Sequence, residues 1–359
     1  MLSLDVAIVT RNRARVLDLS LPLLLGQSRR PNSILIVDSS DDPEPVARVV
    51  GTHAATTEIP ITLIRSPAGM TVQRNIALQH VGSEIVMFPD DDSLLLPGAL
   101  EAIMRIYEAD DEERIGGVCG REVLEAPADM LSVARKSYEM TRLDRVKQKV
   151  ARQRFLLERR FCPDPLTVHG RSRCEVHGTP AWLAGHNAVP VEFMAGFRMS
   201  FRTRLIAAHR FDETLGRYAL FEDVDASFSI LKTHLIAAAW DAGIFHYRSP
   251  ERRDAGRMLG VMQILNRAYV ICKHAAPESA ARRSLKTYAL YKIGIYLSDA
   301  SSPFGRERLA GAVRAYRCLP RLLQAAPAEL TATYLRLRAE CLDAQRLDDS
   351  TAPAQPPAG

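Results

Sequence analysis

Short apolar runs alternate with helix-like stretches over the first 120 residues of the chain. Strand-like runs occur at 4–10, 33–37, 61–64, 84–88 and, where a fifth strand begins, 115–118. Between them, apolar residues recur at helical spacing over 13–27, after a predicted helix cap at Thr71, and after Pro97. Apolar strands that alternate with helices are typical of a mostly parallel sheet covered on both faces. We therefore expect an α/β fold with a doubly wound central sheet.

The pattern changes after this first part. Residues 125–180 are rich in Arg and Lys and are predicted to be an insertion or connecting segment, and 182–247 return to a strand-loop-helix-strand order. Residues 251–345 have helical periodicity throughout, and the Pro- and Ala-rich end of the chain, 346–359, is predicted to be disordered. Helix breaks are expected near three prolines: Pro277, Pro303 and Pro320. We therefore predict an α/β domain over 1–250 followed by a helical C-terminal region.

The net charge of +5 on 359 residues is concentrated in this helical region. Residues 251–340 contain 16 Lys and Arg against 7 Asp and Glu, a net +9. Such a face could lie on an anionic membrane, where each cation contributes about 1 kcal/mol, or it could be a solvated helical surface. It lacks the interleaved aromatic residues of a nucleic-acid platform. Six scattered cysteines without a CxxC motif favour a cytoplasmic protein, and the basic region is compatible with a peripheral position at the inner face of the membrane.

Three consecutive carboxylates, Asp90-Asp91-Asp92, follow the fourth predicted strand. Like charges about 4 Å apart repel by roughly 1–4 kcal/mol, and a divalent cation such as Mg²⁺ or Mn²⁺ removes that repulsion. Asp90 and Asp92 lie on the same side if the strand geometry continues, so that one could reach a nucleotide ribose and the other a metal. The alternative is a solvated loop whose acids precede the helix at Pro97.

The order of these motifs resembles family 2 of the glycosyltransferases, which has the GT-A fold. The resemblance covers about residues 4–125 and is carried by three segments: AIVTRNRARVL, ILIVDSS and RNIALQHVGSEIVMFPDDDSLLLPGAL. The last segment corresponds to the family's Asp-x-Asp motif. Two departures occur, since Val9-Thr10 replaces a Pro-Thr pair and Asp38-Ser39-Ser40 lacks the family's Gly. The resemblance implies a Rossmann-like, mostly parallel sheet flanked by helices.

On the donor side, the resemblance implies a nucleotide pocket at the ends of the first two strands. Asp38 would accept hydrogen bonds from the nucleobase, and Thr10 and Asn12 would line the same pocket. An Asx turn at Asp38 and a helix N-cap at Asn12 remain as alternatives.

The resemblance also implies a phosphate and metal site. Arg74 would lie near the donor phosphates, Asp90 would contact the ribose or a metal-bound water, and Asp92 would ligate the metal. Some related enzymes have a further metal or phosphate contact at the position of His246. A surface helix position for Arg74 and a structural role for His246 at a strand end remain as alternatives.

A second acidic motif, Glu222-Asp223, follows a turn at 211–213, in the order that the family shows. Inverting sugar transfer needs a base to take the proton of the acceptor hydroxyl, and a carboxylate with a raised pKa can do so. Asp223 is the candidate base, and Glu222 would help to position the base or the acceptor. The alternative is that these residues and Asp225 are first-turn acids that stabilise a helix N-terminus.

These observations predict a metal-dependent inverting glycosyltransferase of the hexosyl-transferring type. The donor would be a UDP-, dTDP- or GDP-sugar and the acceptor a saccharide or a lipid-linked molecule, in surface polysaccharide or glycoconjugate synthesis. A nucleotidyltransferase of related fold is a second possibility, although Arg13-Ala14-Arg15 lacks the Gly-rich signature of that class. A non-catalytic nucleotide-sugar-binding protein is a third, which the Glu222-Asp223 pair disfavours.

Overall fold

The computed structural model describes residues 1–124, 178–216, 218–248 and 256–343. The predicted insertion at 125–180 lies almost entirely outside these ranges, as does the predicted tail, so both remain predictions. The described residues fall into two compact units, one that ends at residue 248 and one that begins at residue 256.

The first unit is an α/β layer structure. Its strands are β1 (Leu4–Thr10), β2 (Ser33–Asp38), β3 (Ile61–Arg65), β4 (Ile85–Pro89), β5 (Ser93–Leu95), β6 (Ile115–Val123), β7 (Ala188–Pro190), β8 (Arg198–Arg202) and β9 (Leu235–His246). Its helices are α1 (Ala14–Leu25), α2 (Glu44–Ala54), α3 (Met70–Leu78), α4 (Ala99–Glu108), α5 (Trp182–Gly185), α6 (Thr203–His209) and α7 (Glu222–Ile230). A short 3₁₀ turn, Glu213–Leu215, precedes α7.

The strands form one mixed sheet in the order β3-β2-β1-β4-β8-β6-β9-β5, with β7 paired to β9. Strands β1, β2, β3, β4, β6 and β9 run in one direction, and β5, β7 and β8 oppose them. Because β8 is antiparallel to both neighbours, its first residue, Arg198, lies at the sheet edge where β4 and β6 end. The carboxyl ends of the parallel strands therefore share one edge, which is where α/β sheets bind ligands.

The core explains why these segments form strands and helices. All seven residues of β1 and all five of β4 are buried, so neither strand alternates between polar and apolar residues. Leu17 and Leu21 of α1 and Leu100 and Ile103 of α4 are fully buried and belong to the same core cluster as the strands. Complete burial of one such side chain contributes about 1.5–3 kcal/mol, so this packing, more than helix propensity, fixes the layers.

Two predicted helix starts are wrong in detail. Thr71 is not the cap of α3, because the helix begins at Met70 and Gly69 occupies the cap position, which leaves Thr71 buried inside the first turn. Helix α4 begins two residues after Pro97, since Gly98 has a φ of 78° and turns the chain into the helix. The three-residue strand β5 was not predicted, because its apolar run is too short to show a period.

The second unit is helical. It consists of α8 (Gly256–His274), α9 (Ala280–Leu297), α10 (Pro303–Leu323), a 3₁₀ turn (Pro327–Glu329) and α11 (Leu330–Asp343). Ser279 and Ser302 cap α9 and α10 through their hydroxyls, so the predicted breaks near Pro277 and Pro303 agree with the helix boundaries. The break predicted near Pro320 is wrong, because this proline lies inside α10. None of the described helices is long and apolar enough to cross a membrane.

Helices α8 and α10 pack with their backbones in direct contact. A Cβ atom built on Gly260 would overlap the carbonyl oxygen of Arg308, and one on Gly311 would overlap that of Arg257. Only glycine leaves room for this approach, because interiors are packed to near-crystalline density. A buried hydrogen bond of 2.7 Å from the Tyr334 hydroxyl to Asn266 Oδ1 joins α11 to α8.

Candidate active site

The acidic loop after β4 is fixed by backbone contacts on both sides. Ser93 Oγ accepts from the backbone N–H of Asp90 at 3.1 Å and donates to the carbonyl of Phe197 at 2.7 Å. The backbone N–H of Tyr247 donates to the carbonyl of Asp92 at 2.9 Å. The loop is therefore held between the end of β9 and the residue before β8, and its carboxylates have defined positions.

Asp90, Asp92 and His246 converge at this edge. One ligand atom from each lies within 4.8 Å of the others, and His246 Nε2 is 3.3 Å from Asp92 Oδ1. The imidazole stacks on the ring of Phe197 at 4.4 Å, which fixes its orientation. Burial raises the pKa of the Asp90 carboxyl. The nearby Arg74 guanidinium opposes this rise, and the charge of Asp92 adds to it. The two carboxylates suit Mn²⁺ or Mg²⁺, the imidazole is a nitrogen ligand that fits a transition-metal ion better than Mg²⁺, and a cation would relieve this repulsion.

Asp91, between the two candidate ligands, points into the protein. It accepts hydrogen bonds from Thr10 Oγ1 at 2.7 Å and from Arg13 Nη1 at 2.8 Å, and Arg13 is also 3.6 Å from Asp92. Burial raises the pKa of Asp91 to about 7, against the opposing effect of Arg13. Thr10 thus supports the acidic loop with a buried hydroxyl, and its place in the nucleobase pocket stays a prediction. The contact of Arg13 was missed, and the only signal in the sequence was its place just after β1.

Asp38 is fully buried at the end of β2. Its Oδ1 accepts from the backbone N–H and the hydroxyl of Ser40 at 2.8 and 2.5 Å, and its Oδ2 pairs with Arg65. Arg65 also donates to the carbonyl of Ser40 at 2.8 Å, yet 48% of its side chain is exposed. The Asx turn that we considered is therefore present. The accessible polar group at this position is Arg65, at the end of β3, whereas the contact of the buried Asp38 carboxylate with the nucleobase stays a prediction.

Asn12 joins the first two strand ends. It has a φ of 56°, its N–H donates to Ser40 Oγ at 2.7 Å, and its side-chain amide exchanges two hydrogen bonds with Asp41 at 2.9 and 3.0 Å. It is not the N-cap of α1, since that position belongs to Arg13. Asn12 therefore orders the loops that border the expected nucleotide pocket.

Arg74 lies inside the protein, between the two acidic motifs. Its guanidinium pairs with Glu222, lies 3.1 Å from Asp90 Oδ1 and 3.4 Å from the carbonyl of Gly196, and sits 5.4 Å from the centre of the Phe211 ring. Only 1% of the side chain is exposed. This burial excludes a surface helix position, and the contact with the donor phosphates stays a prediction.

Glu222 and Asp223 begin α7, but their surroundings differ. Glu222 is buried against Arg74, whereas Asp223 is partly exposed and accepts hydrogen bonds from the N–H groups of Gly196 at 3.0 Å and Val224 at 2.8 Å. Burial, with Asp223 beside it, raises the pKa of Glu222 to about 8, and burial also raises the pKa of Asp223. Both residues lie in the first turn of α7, as the alternative interpretation expected. In addition, Glu222 pairs with Arg74, which in turn contacts Asp90 of the acidic loop.

Comparison with known proteins agrees with this architecture. The model of the family "Glycosyl transferase family 2" matches residues 5–153, and no curated protein matches the sequence. A mannosyltransferase from Pyrobaculum calidifontis, solved with GDP-Man and Mn²⁺, is 18% identical, with a TM-score of 0.50 over 94% of this chain and 86% of its own. S. aureus TarS 1–349, solved with UDP-GlcNAc, is 14% identical, with a TM-score of 0.49 over 96% and 92%.

The archaeal structure supports the fold, and the family match covers the strands that carry Asp38 and the Asp90–Asp92 loop. The described part of the chain has the mixed sheet with flanking helices that this fold requires, followed by C-terminal helices. Residues 5–153 therefore match glycosyltransferase family 2, and the N-terminal unit has a GT-A fold.

Proposed function

We propose that this protein is a metal-dependent, inverting glycosyltransferase that moves a hexosyl group from a nucleotide-sugar to a saccharide or lipid-linked acceptor. The observation that carries the proposal is the arrangement of two acidic motifs, Asp90–Asp92 and Glu222-Asp223, on either side of the buried Arg74. One motif offers metal ligands and the other a partly exposed carboxylate, which are the two groups that this transfer needs. A nucleotide-sugar and Mn²⁺ in the mannosyltransferase complex are in keeping with this donor class.

On the donor side, Asp92, Asp90 and His246 would hold Mg²⁺ or Mn²⁺, which stabilises the negative charge of the departing nucleoside diphosphate. The chain's own contribution is to hold these three groups in place through Ser93 and the stacked Phe197 ring. The nucleobase would meet Arg65, whose guanidinium is oriented by Asp38 and can donate to acceptor atoms on the base edge. We propose no preference among UDP, dTDP and GDP.

On the acceptor side, Asp223 would remove the proton of the attacking hydroxyl. The acceptor oxygen bonds to the anomeric carbon as the bond to the diphosphate oxygen breaks, so the configuration inverts, and the proton passes to Asp223. Asp223 suits this role better than Glu222, because Glu222 is buried and committed to Arg74. The N–H of Gly196 orients the Asp223 carboxylate, and Glu222 keeps Arg74 in position.

The base assignment is tested by Asp223→Asn, which keeps the shape of the side chain and removes its basicity. Transfer should fall by about 10²–10⁴-fold, with unchanged binding of donor and metal. Asp241→Asn is the matched control, since Asp241 is an exposed acid of the same unit with 50% of its side chain accessible. Unchanged turnover in Asp223→Asn would show that the base is another group.

The donor and metal assignments are tested by thermal shift with UDP-, dTDP- and GDP-sugars, with and without Mn²⁺. A ligand at 100 times its Kd should stabilise the fold by about 2.7 kcal/mol, and Asp92→Ala should abolish the part of that shift that depends on the metal. Metal-dependent shifts that persist in Asp92→Ala would refute the metal site. The product distinguishes the classes, because a glycosyltransferase releases a nucleoside diphosphate and a nucleotidyltransferase releases pyrophosphate.

A further inference from the structure

Helix α9 has one buried face and one exposed face within the C-terminal unit. The buried face is formed by Ala281, Leu285, Tyr288, Ala289 and Tyr296. The opposite face carries Arg283, Lys286, Leu290 and Leu297, which recur at three-, four- and seven-residue steps and therefore form a single stripe along the helix. A helix with two such faces packs on its own unit by one face and presents the other outward.

The exposed face combines positive charge with exposed large apolar side chains. Leu290 is 52% exposed and Leu297 is 60% exposed, and Phe304 at the start of α10, just beyond the connecting turn, is 39% exposed. Residues 280–297 contain four Lys and Arg and no Asp or Glu. The basic residues of the stripe lie in the first half of α9 and the leucines in the second half.

The nearest acids do not neutralise this face. Asp299, in the turn after α9, pairs with Arg308 at 2.5 Å, and Glu307 pairs with Arg257 at 2.8 Å. Their charges are therefore matched within the unit. Glu278, just before α9, is one nearby acid against the two cations Arg283 and Lys286, so the stripe keeps a net positive charge. An apolar stripe with cations beside it is complementary to the boundary between anionic headgroups and acyl chains.

We propose that the outward face of α9 is a docking surface for an anionic lipid bilayer. The cations Arg283 and Lys286 lie against headgroup phosphates, while Leu290 and Leu297 enter the headgroup–acyl boundary. This docking is peripheral and reversible, and it does not depend on the transferase activity proposed above.

The test is co-sedimentation of the full chain with vesicles of phosphatidylcholine alone and with added phosphatidylglycerol. Binding should require the anionic lipid and weaken at high salt, because salt screens exposed charges. Arg283→Gln with Lys286→Gln should weaken binding about fivefold per charge, or roughly 25-fold together. Leu290→Ser with Leu297→Ser should weaken binding by about tenfold per leucine, since each loses its buried apolar area.

Control variants on α11 test whether binding depends on the position of these residues on α9 or only on the loss of a cation or a leucine anywhere on the surface. Arg336→Gln and Leu335→Ser remove an exposed cation and a 44% exposed leucine from another helix, and both should leave binding within about twofold. Circular dichroism would verify that every variant is folded.

Four outcomes of the vesicle and light-scattering experiments would overturn the proposal. They are no vesicle binding, equal binding to neutral vesicles, equal losses in the α11 controls, and light scattering that shows a dimer lost on Leu290→Ser with Leu297→Ser. The last outcome would identify a second copy of the chain as the occupant of this face. Binding of a single-stranded oligonucleotide in place of vesicles would equally overturn it. None of these outcomes bears on sugar transfer, which is measured separately.

Discussion

The position of Arg74 leads to a specific stability prediction for Arg74→Met, which keeps an unbranched side chain and removes the charge. Arg74 and Glu222 are 1% and 6% exposed, so this is a buried pair, whose loss on one side typically reduces the free energy of unfolding by about 3–5 kcal/mol. The contact with Asp90 adds less, because that carboxylate is 25% exposed and partly screened. Most of the loss should therefore arise from the Glu222 carboxylate left without its partner.

The assay is urea unfolding at pH 9, above the pKa of about 8 that burial gives Glu222, followed by tryptophan fluorescence. The chain has 2 tryptophans, and both Trp182 and Trp240 lie in the N-terminal unit that contains Arg74, so the signal reports on the correct unit. Arg204→Met is the matched control, because Arg204 is 58% exposed and pairs with a half-exposed Glu113. Loss of such a surface pair should change the free energy of unfolding by less than about 1 kcal/mol.

A double variant tests the cause of the loss. In Arg74→Met with Glu222→Gln the buried carboxylate is neutral, so at least half of the lost stability should return, as expected for two residues in direct contact. The deficit of Arg74→Met alone should also shrink as the pH falls below about 8, where Glu222 takes up a proton. The reasoning is refuted if Arg74→Met lies within about 1 kcal/mol of the wild type, or if Glu222→Gln restores nothing.

Three further predictions concern pH, helix packing and the acidic loop. Burial raises the pKa of Glu222 from 4.5 to about 8, so the folded state binds this proton more tightly than the unfolded chain. Its contribution to stability is present below pH 4.5 and is lost as the pH rises towards 8; urea titrations across this range should show a flatter profile for Glu222→Gln. Gly260→Ala should destabilise the C-terminal unit by about 1–3 kcal/mol, because the added Cβ would overlap a backbone carbonyl. Gly294→Ala is the control, since the space around Gly294 is open, and it should stabilise α9 by up to about 1 kcal/mol. Thermal melts followed by circular dichroism measure both changes. Thr10→Val should lower the free energy of unfolding by about 1–3 kcal/mol, because Asp91 loses a buried hydrogen bond, and similar urea curves for variant and wild type would contradict this.

The elements that the sequence predicts well are those whose pattern is local. The strand at Leu4–Thr10 agrees residue for residue, because an unbroken apolar run between polar ends defines both its type and its limits. Pro320 misled the prediction, since the buried neighbours Leu319 and Leu322 hold α10 together across the missing N–H. The reversed direction of β8 could not be predicted either, because strand direction depends on pairing and not on periodicity.

In the candidate site too, features set by local spacing could be predicted, and features set by tertiary contacts could not. Spacing alone placed Asp90 and Asp92 on one side, and the structure brings them to His246. The partners of Arg74 could not be predicted, because Glu222 is 148 residues away along the chain and the pairing depends on how α3 and α7 approach each other. The pairing of Arg65 with Asp38 is similar, since it depends on the register of β2 against β3.

The antiparallel course of β8 has a consequence for how such an enzyme can diversify. The chain leaves β6 after Val123 and enters β8 at Arg198, and both points lie at the edge of the sheet that carries the Asp90–Asp92 loop. The part of the segment that precedes β7 can change in length or be exchanged without altering a strand register, since β7 keeps its pairing with β9. Under the proposed function, a graft of this part from another family 2 glycosyltransferase tests whether it carries acceptor specificity.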